Sequence, residues 1–215
     1  MNRARILLAD DYVLLLEAFK NLLEPEFEVV GIATDGRALL QKAEDLKPDL
    51  IVLDISMPML NGLDAGRKLK SILPGVKLVY LTMSHDLDFV TEALQIGALG
   101  YVLKTSSASE LREAIRRGLR GKPYVTPLVG RRDGSWLLEP MPHEHPRRKN
   151  SIGLTLRQRE VLQLLAEGLS MKQAAHILHV TARTIAFHKY NMRRDFNLHS
   201  NAELFKLAAR QHVVA

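Results

Sequence analysis

The sequence predicts an α/β fold with a doubly wound, parallel, five-stranded sheet, followed by a small all-α domain. Two observations lead to this prediction. In residues 1–122, short apolar runs alternate with amphipathic stretches, which is typical of βα units in a parallel sheet. From residue 155 onward, the sequence has only helical patterns and repeated helix-start signals.

The five apolar runs are the predicted strands. Four of them are nearly continuous in apolar residues, as expected for parallel strands that helices cover on both faces. The runs lie at residues 5–9, 27–32, 50–53, 76–81 and 100–103. The segments between them, such as residues 13–23, carry apolar residues at helical spacing and predict five helices.

Proline and glycine interrupt this pattern in residues 123–150, which contain five prolines. Proline-rich segments stay semi-extended, so we predict an interdomain linker there. The predicted domains are therefore a first domain at residues 1–122 and a helical domain at residues 151–215.

The helical domain has four predicted helix starts. Three have the capping-box spacing, in which Glu or Gln follows Ser or Thr by three residues. These are Thr155 with Gln158, Ser170 with Gln173 and Ser200 with Glu203, and Thr181 supplies a fourth cap. The second and third helices are joined by only a tight connection at residues 179–180, which predicts a helix-turn-helix arrangement.

Composition excludes several classes of protein. The chain has no cysteine, which excludes disulfide scaffolds and thiol nucleophiles. No apolar run approaches the roughly 18 residues that span a membrane, and the apolar start is too short for a signal peptide. We therefore expect a soluble, cytoplasmic protein with no membrane partner.

Charge is distributed unevenly along the chain. Residues 1–122 hold 16 basic and 17 acidic side chains, whereas residues 151–215 hold 9 and 4. A neutral first domain and a basic second one indicate that the second contacts a polyanion such as nucleic acid.

Polar side chains follow several of the predicted strands. Asp10 and Asp11 come after the first strand, and Asp54 ends the third. Ligands bind at the carboxyl ends of strands in an open parallel sheet, and three converging carboxylates need a cation. Hard oxygen ligands favour Mg²⁺. With Thr82 and Lys104 at the ends of the fourth and fifth strands, this set suits phosphoryl transfer to a carboxylate.

Four pieces of the first domain form a recognisable pattern: Asp10-Asp11, the run at 54–62, Leu81-Thr82 and the run at 97–104. With these pieces, residues 3–122 resemble the receiver domain of response regulators, which has a flavodoxin-like fold. It implies that Asp54 accepts a phosphoryl group from the phosphohistidine of a sensor histidine kinase in a Mg²⁺-dependent reaction. Beyond its own phosphorylation and dephosphorylation, no enzymatic activity is expected.

The resemblance also implies roles for the neighbouring residues. Asp11 binds Mg²⁺ directly, Asp10 mainly through water, and the backbone carbonyl of Ser56 completes the ligands with Asp54. Lys104 pairs with the phosphoryl group, Thr82 moves to accept it, and Tyr101 turns inward as the switch aromatic. Ser56 and Ser84 tune the lifetime of the acyl phosphate. One departure is Thr105 after Lys104, where many receivers have proline after a cis bond, and the geometry of this bond is left open.

Four pieces of the helical domain form a recognisable pattern: the run at 154–162, the run at 166–170, Arg183-Thr184-Ile185 and His188. With these pieces, residues 154–212 resemble the LuxR-type DNA-binding domain of NarL/FixJ regulators. The resemblance implies double-stranded DNA with an inverted-repeat operator as a partner, RNA polymerase as a further one, and a homodimer when active. The last helix, at residues 201–212, is expected to contribute to the dimer.

The predicted DNA contacts lie mainly in the third helix. Base contacts are expected around Ala186, Phe187 and Tyr190. The other predicted contact residues are Lys172, Arg183, Thr184, His188, Lys189 and Arg194. Two departures remove positive charge, because the family often has Lys at the position of Ala186 and because Asp195 is acidic.

Three alternatives remain open at this point. In the first, partner proteins control DNA binding independently of phosphorylation. In the second, the basic helix binds a protein rather than DNA. A third is a phosphatase of the haloacid-dehalogenase type, which requires a second Asp two residues after the nucleophile. The residue at that position is Ser56.

Overall fold

The computed structural model describes residues 3–129 and 153–214, which belong to two compact units. The first unit contains the alternating elements β1 (Arg5–Ala9), α1 (Val13–Leu23), β2 (Glu28–Ala33), α2 (Gly36–Leu46), β3 (Leu50–Leu53), α3 (Gly62–Ile72), β4 (Lys77–Thr82), α4 (Leu87–Ile96), β5 (Gly100–Leu103), α5 (Ala108–Leu119) and β6 (Tyr124–Val125). The second contains α6 (Leu156–Ala166), α7 (Met171–Ile177), α8 (Ala182–Asp195) and α9 (Asn201–Arg210).

The strands of the first unit form one parallel sheet in the order β2-β1-β3-β4-β5-β6. The predicted doubly wound parallel fold is therefore confirmed. The predicted number of five strands is wrong, because β6 adds a sixth beyond residue 122. This strand was missed because it has only two residues and directly follows Pro123. The rest of the predicted linker, from residue 130 to 150, lies outside the described residues.

Helices cover the sheet on both faces, and each face has its own apolar core. Leu7 and Leu53 belong to the core beneath α2, α3 and α4. Ile6 and Leu8 belong to the core beneath α1 and α5. Neighbouring strand residues point to opposite faces, so continuous apolar runs are required wherever both faces are covered.

The second unit is entirely helical in its described residues. Its core includes Leu162, Ile185, Met192 and Ala208, all inaccessible to solvent. All three predicted capping boxes are present, and Thr181 caps α8 through the N–H of Thr184. These caps explain why α6 to α9 begin where they do, since each satisfies backbone N–H groups that the first turn leaves free.

Among the residues that the structure describes, no helix is long and apolar enough to cross a membrane.

Candidate functional site: an acidic cluster and an exposed helix face

The acidic cluster lies where the strand order reverses, at the carboxyl edge of the sheet. Asp10 follows β1 and Asp54 follows β3, and these strands are neighbours with Ala9 opposite Leu53. Asp10 and Asp54 are buried, whereas Asp11 is exposed. One carboxylate oxygen from each of the three lies within 4.8 Å of the others. The predicted convergence is thus present, and a set of hard oxygen donors this close fits a divalent cation such as Mg²⁺.

Lys104 forms ion pairs with both buried carboxylates. Its Nζ atom lies 2.6 Å from Oδ2 of Asp10 and 2.9 Å from Oδ2 of Asp54. Burial opposes the charge on Lys104, but the hydrogen bond to Asp10 and the attraction of Asp54 outweigh it and raise the pKa of Lys104. Burial raises the pKa of Asp10 despite the hydrogen bond from Lys104. Because one ammonium is shared by two buried carboxylates, the cluster keeps a net negative charge when both carboxylates are ionised.

The loop after Asp54 is held close to the cluster. The N–H of Gly62 donates to the carbonyl of Ile55 at 2.8 Å, and Asn61 caps α3 through the N–H of Asp64. A Cβ atom at Gly62 would lie only 1.9 Å from the carbonyl oxygen of Asp54. Glycine is required here because the start of α3 contacts the backbone of the site. Ser56 lies in this loop with an exposed side chain.

The two predicted switch residues are joined through Ser84. The Tyr101 hydroxyl donates to the carbonyl of Ser84 at 2.9 Å, and the N–H of Ser84 donates to Oγ1 of Thr82 at 3.3 Å. Thr82 and Tyr101 are both buried. The peptide bond between Lys104 and Thr105 is trans. The structure therefore brings Thr82, Ser84 and Tyr101 into one chain of hydrogen bonds beside the cluster.

A second polar network, which was not predicted from the sequence, joins the start of α3 to α4. Asp64 is buried and accepts hydrogen bonds from Asn61 at 2.9 Å and from Arg67 at 2.7 Å. Arg67 also pairs with Glu92 on α4. No motif marks these residues, because their spacing on α3 is that of an ordinary amphipathic helix.

In the helical unit, α8 presents an exposed stripe of four side chains. Phe187 and Tyr190 are 60% and 66% exposed, although both are large and aromatic. Arg183 and Arg194 extend the stripe at either end. Exposed aromatic and basic side chains along one helix face suit contact with base edges and phosphates. Among the other predicted contact residues, Lys172 is exposed, and Thr184, Ala186, His188 and Lys189 are half-buried.

Three predicted contact residues also interact within the protein. Lys189 lines a cavity of about 280 Å³ together with residues of α6 and α9. Burial and the charge of Arg157 lower the pKa of His188. The Arg194 guanidinium donates to Oδ1 of Asp195 at 2.9 and 2.8 Å. Asp195, the acidic residue that departs from the family pattern, therefore pairs with the guanidinium of Arg194 on the exposed stripe.

Each of the two units matches a known protein family. Residues 6–116 match the response regulator receiver domain, and residues 153–208 match the bacterial regulatory proteins of the luxR family. This chain is a response regulator.

Named relatives resemble this response regulator over almost its whole length. Transcriptional regulatory protein DegU of Brevibacillus brevis is 32% identical over 219 residues, which cover 94% of this chain and 91% of DegU. Transcriptional regulatory protein LiaR of Bacillus subtilis is 32% identical over 216 residues, which cover 98% of this chain and 99% of LiaR. Among solved structures, the Salmonella typhimurium response regulator RcsB has a TM-score of 0.63 at 25% identity, covering 98% of this chain and 99% of that chain.

The predicted family is thus confirmed. The response regulator belongs to a two-component system and regulates transcription through a DNA-binding domain of the LuxR type. The roles of the individual residues at both sites remain predictions.

Proposed function

We propose that phosphorylation of Asp54 by a sensor histidine kinase controls DNA binding by this regulator. The observation that carries the proposal is the position of Asp54, which is buried beside Asp10 with Oδ2 2.9 Å from the Lys104 ammonium. In the transfer, a carboxylate oxygen of Asp54 bonds to phosphorus as the phosphorus–nitrogen bond of the donor phosphohistidine breaks. The regulator acts on no other substrate.

The carboxylates fit a magnesium ion as well as a phosphoryl group. Asp10, Asp11, Asp54 and the backbone carbonyl of Ser56 would hold Mg²⁺, and Asp10 would contact it mainly through water. When bound, Mg²⁺ supplies positive charge to the phosphoryl oxygens, which the one ammonium of Lys104 does not fully neutralise.

The remaining residues of the site respond to the phosphoryl group. Lys104 exchanges its contacts with Asp10 and Asp54 for phosphoryl oxygens. Thr82 donates its hydroxyl to the same group, and Tyr101, which is linked to Thr82 through Ser84, shifts within the interior as the switch aromatic. The side chains of Ser56 and Ser84 border the site and set how readily water reaches the acyl phosphate. Two arrangements of this network give the receiver two states that phosphorylation biases.

At the DNA, Phe187 and Tyr190 contact base edges together with Ala186. The contacts to phosphates come from Lys172, Thr184, Lys189 and Arg194, and Arg183 and His188 are further DNA-contact residues. The active form is a homodimer, to which α9 contributes, on an inverted-repeat operator, and RNA polymerase is a further partner. We assign residues 151–215 to this domain and retain residues 123–150 as the connection between the units, although β6 lies at its start.

Selection of genomic DNA fragments on the full-length protein tests this function. The selection is run with Mg²⁺ in the presence and absence of beryllofluoride, a mimic of the phosphoryl group, on wild-type protein and on Asp54→Ala. We expect inverted-repeat sites to be enriched mainly with beryllofluoride and the enrichment to disappear in Asp54→Ala. Asp45→Ala is the matched control, because Asp45 is exposed on α2.

The other outcomes distinguish the alternatives. Equal enrichment with and without beryllofluoride would mean that the receiver does not control DNA access, and control independent of phosphorylation would then be the better hypothesis. If no sites are enriched in either condition, α8 binds a protein rather than DNA.

A further inference from the structure

The short strand β6 contacts the part of the receiver that carries Tyr101. The N–H of Tyr124 donates to the carbonyl of Leu99, and the N–H of Thr126 donates to the carbonyl of Tyr101, both at 2.9 Å. Val125 packs in the same apolar core as Tyr101. A displacement of Tyr101 that moves its backbone therefore acts directly on β6 and on Thr126.

The side chain of Thr126 contacts a second part of the site. Thr126 is fully buried, and its hydroxyl lies 3.1 Å from the hydroxyl of Ser106. Ser106 belongs to the turn that directly follows Lys104, and its N–H donates to the carbonyl of Leu103 at 2.9 Å. Thr126 thus joins the strand that carries Tyr101 to the turn that carries Lys104.

Thr126 also lies where the chain leaves the sheet. The N–H of Val129 donates to the carbonyl of Thr126 at 3.1 Å, and the chain continues through residues 130–152 to the helical unit. The covalent path from the receiver to α8 therefore begins at a residue that is hydrogen-bonded to both parts of the site.

We propose that Thr126 is a positioning residue, which couples the arrangement of Lys104 and Tyr101 to the segment leading to the DNA-binding domain. This inference rests on the proposed function. When Lys104 exchanges carboxylates for phosphoryl oxygens, its turn moves and carries Ser106 with it. Because the Thr126 hydroxyl is buried, breaking its bond to Ser106 is costly, and the movement is passed to β6. Coupling of this kind is reciprocal between the two sites.

Two substitutions of Thr126 separate coupling from packing. Thr126→Val keeps the volume of the side chain and removes the hydroxyl, whereas Thr126→Ser keeps the hydroxyl and removes a methyl group. If Thr126 only fills space in the core, Thr126→Val should perturb the protein less than Thr126→Ser. If Thr126 couples the two parts of the site through its hydroxyl, Thr126→Ser should perturb the coupling less than Thr126→Val.

The measured quantity is the gain in affinity of the full-length protein for its selected operator when beryllofluoride is added with Mg²⁺. We expect Thr126→Val to bind beryllofluoride. Its gain in operator affinity should be about threefold to tenfold smaller than that of the wild type, which is the contribution of one hydrogen bond. Thr126→Ser retains the gain. Hydrogen exchange in residues 124–129 should change on addition of beryllofluoride in the wild type and less in Thr126→Val.

Ser106→Ala provides a second variant that leaves the buried core intact, because Ser106 is only half-buried. It should lose the same part of the gain as Thr126→Val. The control Ser109→Ala removes an exposed hydroxyl on α5 and should retain the gain.

Two results would overturn the inference alone. They are a full gain in both Thr126→Val and Ser106→Ala, or equal losses in Thr126→Val and Thr126→Ser. A wild-type protein that binds no beryllofluoride, or that binds it without any gain, would overturn the proposed function and this inference with it.

Discussion

At the scale of single residues, Gly62 is the most constrained position near the acidic cluster. Its α-carbon faces the backbone of Asp54, where a methyl group would lie 1.9 Å from a carbonyl oxygen. Gly62→Ala therefore has to move either the start of α3 or the loop that carries Asp54. We expect the free energy of unfolding to fall by more than about 2 kcal/mol, measured by urea denaturation.

The matched control for Gly62 is Gly75. A Cβ atom at Gly75 meets nothing within 4 Å, and the loss of chain freedom in the unfolded state then favours alanine. Gly75→Ala should be neutral or slightly stabilising. Equal losses in the two variants would mean that the contact at Gly62 does not constrain the loop.

His188 makes the stability of the helical unit depend on pH. Burial and the charge of Arg157 lower its pKa, so the folded state holds this proton less tightly than the unfolded chain. The contribution of His188 is fully present above the ordinary histidine pKa and is lost as the pH falls toward the folded value. We expect the free energy of unfolding of this unit to decrease between about pH 7 and pH 5.

Urea unfolding of the full-length protein at several pH values measures this effect. His188→Gln should weaken the dependence on pH, and His176→Gln, which changes an exposed side chain on α7, should preserve it. A dependence that is the same in wild type and His188→Gln would show that another group titrates.

At the scale of elements, Arg67 holds α3 and α4 together. It donates to buried Asp64 on its own helix at 2.7 Å and pairs with Glu92 on α4. Arg67→Met keeps the apolar stem and removes the guanidinium, so both carboxylates lose a charged partner. We expect a loss of about 1–3 kcal/mol in the free energy of unfolding.

Arg116 offers a comparison for Arg67, because its guanidinium also makes two short hydrogen bonds to carboxylate oxygens, in this case to the two oxygens of Glu26. The Nε and Nη2 atoms of Arg116 lie 2.6 and 2.7 Å from the two carboxylate oxygens of Glu26, but both side chains are substantially exposed. Exposed ion pairs contribute little, so Arg116→Met should destabilise the protein clearly less than Arg67→Met. The reverse order would contradict the role assigned to the α3–α4 network.

The elements of this protein were predictable to different degrees from its sequence. The long apolar runs predicted β1 to β5, because strands covered on both faces contain few polar residues. Strand β6 has only two residues, and its pairing depends on the position of β5 rather than on any local pattern. The capping boxes were predictable because the bonds they make are local, such as that from the N–H of Gln158 to Thr155.

The contacts of the candidate site were also predictable to different degrees. Asp10, Asp54 and Lys104 could be predicted to meet, because each follows a strand of one parallel sheet. Neither the contact of Thr126 with Ser106 nor that of Arg67 with Glu92 could be predicted in this way. Each joins residues from elements whose distance is set by packing, and side chains of these types are common on protein surfaces.

At the scale of the whole molecule, positive charge is concentrated in the helical unit, and one acidic residue opposes it locally. Residues 151–215 hold 9 basic and 4 acidic side chains. Asp195 is one of these four, and it accepts both hydrogen bonds from Arg194 at the end of the exposed stripe. Arg194 must leave Asp195, or share it, to contact a DNA phosphate.

Asp195→Asn should therefore strengthen DNA binding. With the carboxylate removed, Arg194 contacts its phosphate with its full charge instead of sharing it with Asp195. The plot of log affinity against log salt should then steepen by about 0.9. Binding of the full-length protein to its operator, titrated at several salt concentrations, measures both quantities.

Asp45→Asn is the control for this prediction, because it makes the same change in net charge on exposed α2 of the first unit. If the local pairing matters, only Asp195→Asn steepens the salt dependence. If both variants steepen it equally, net charge governs the interaction and the position of Asp195 beside Arg194 has no special effect. Since exposed charges are screened beyond about 10 Å at moderate salt, we expect the local effect to dominate.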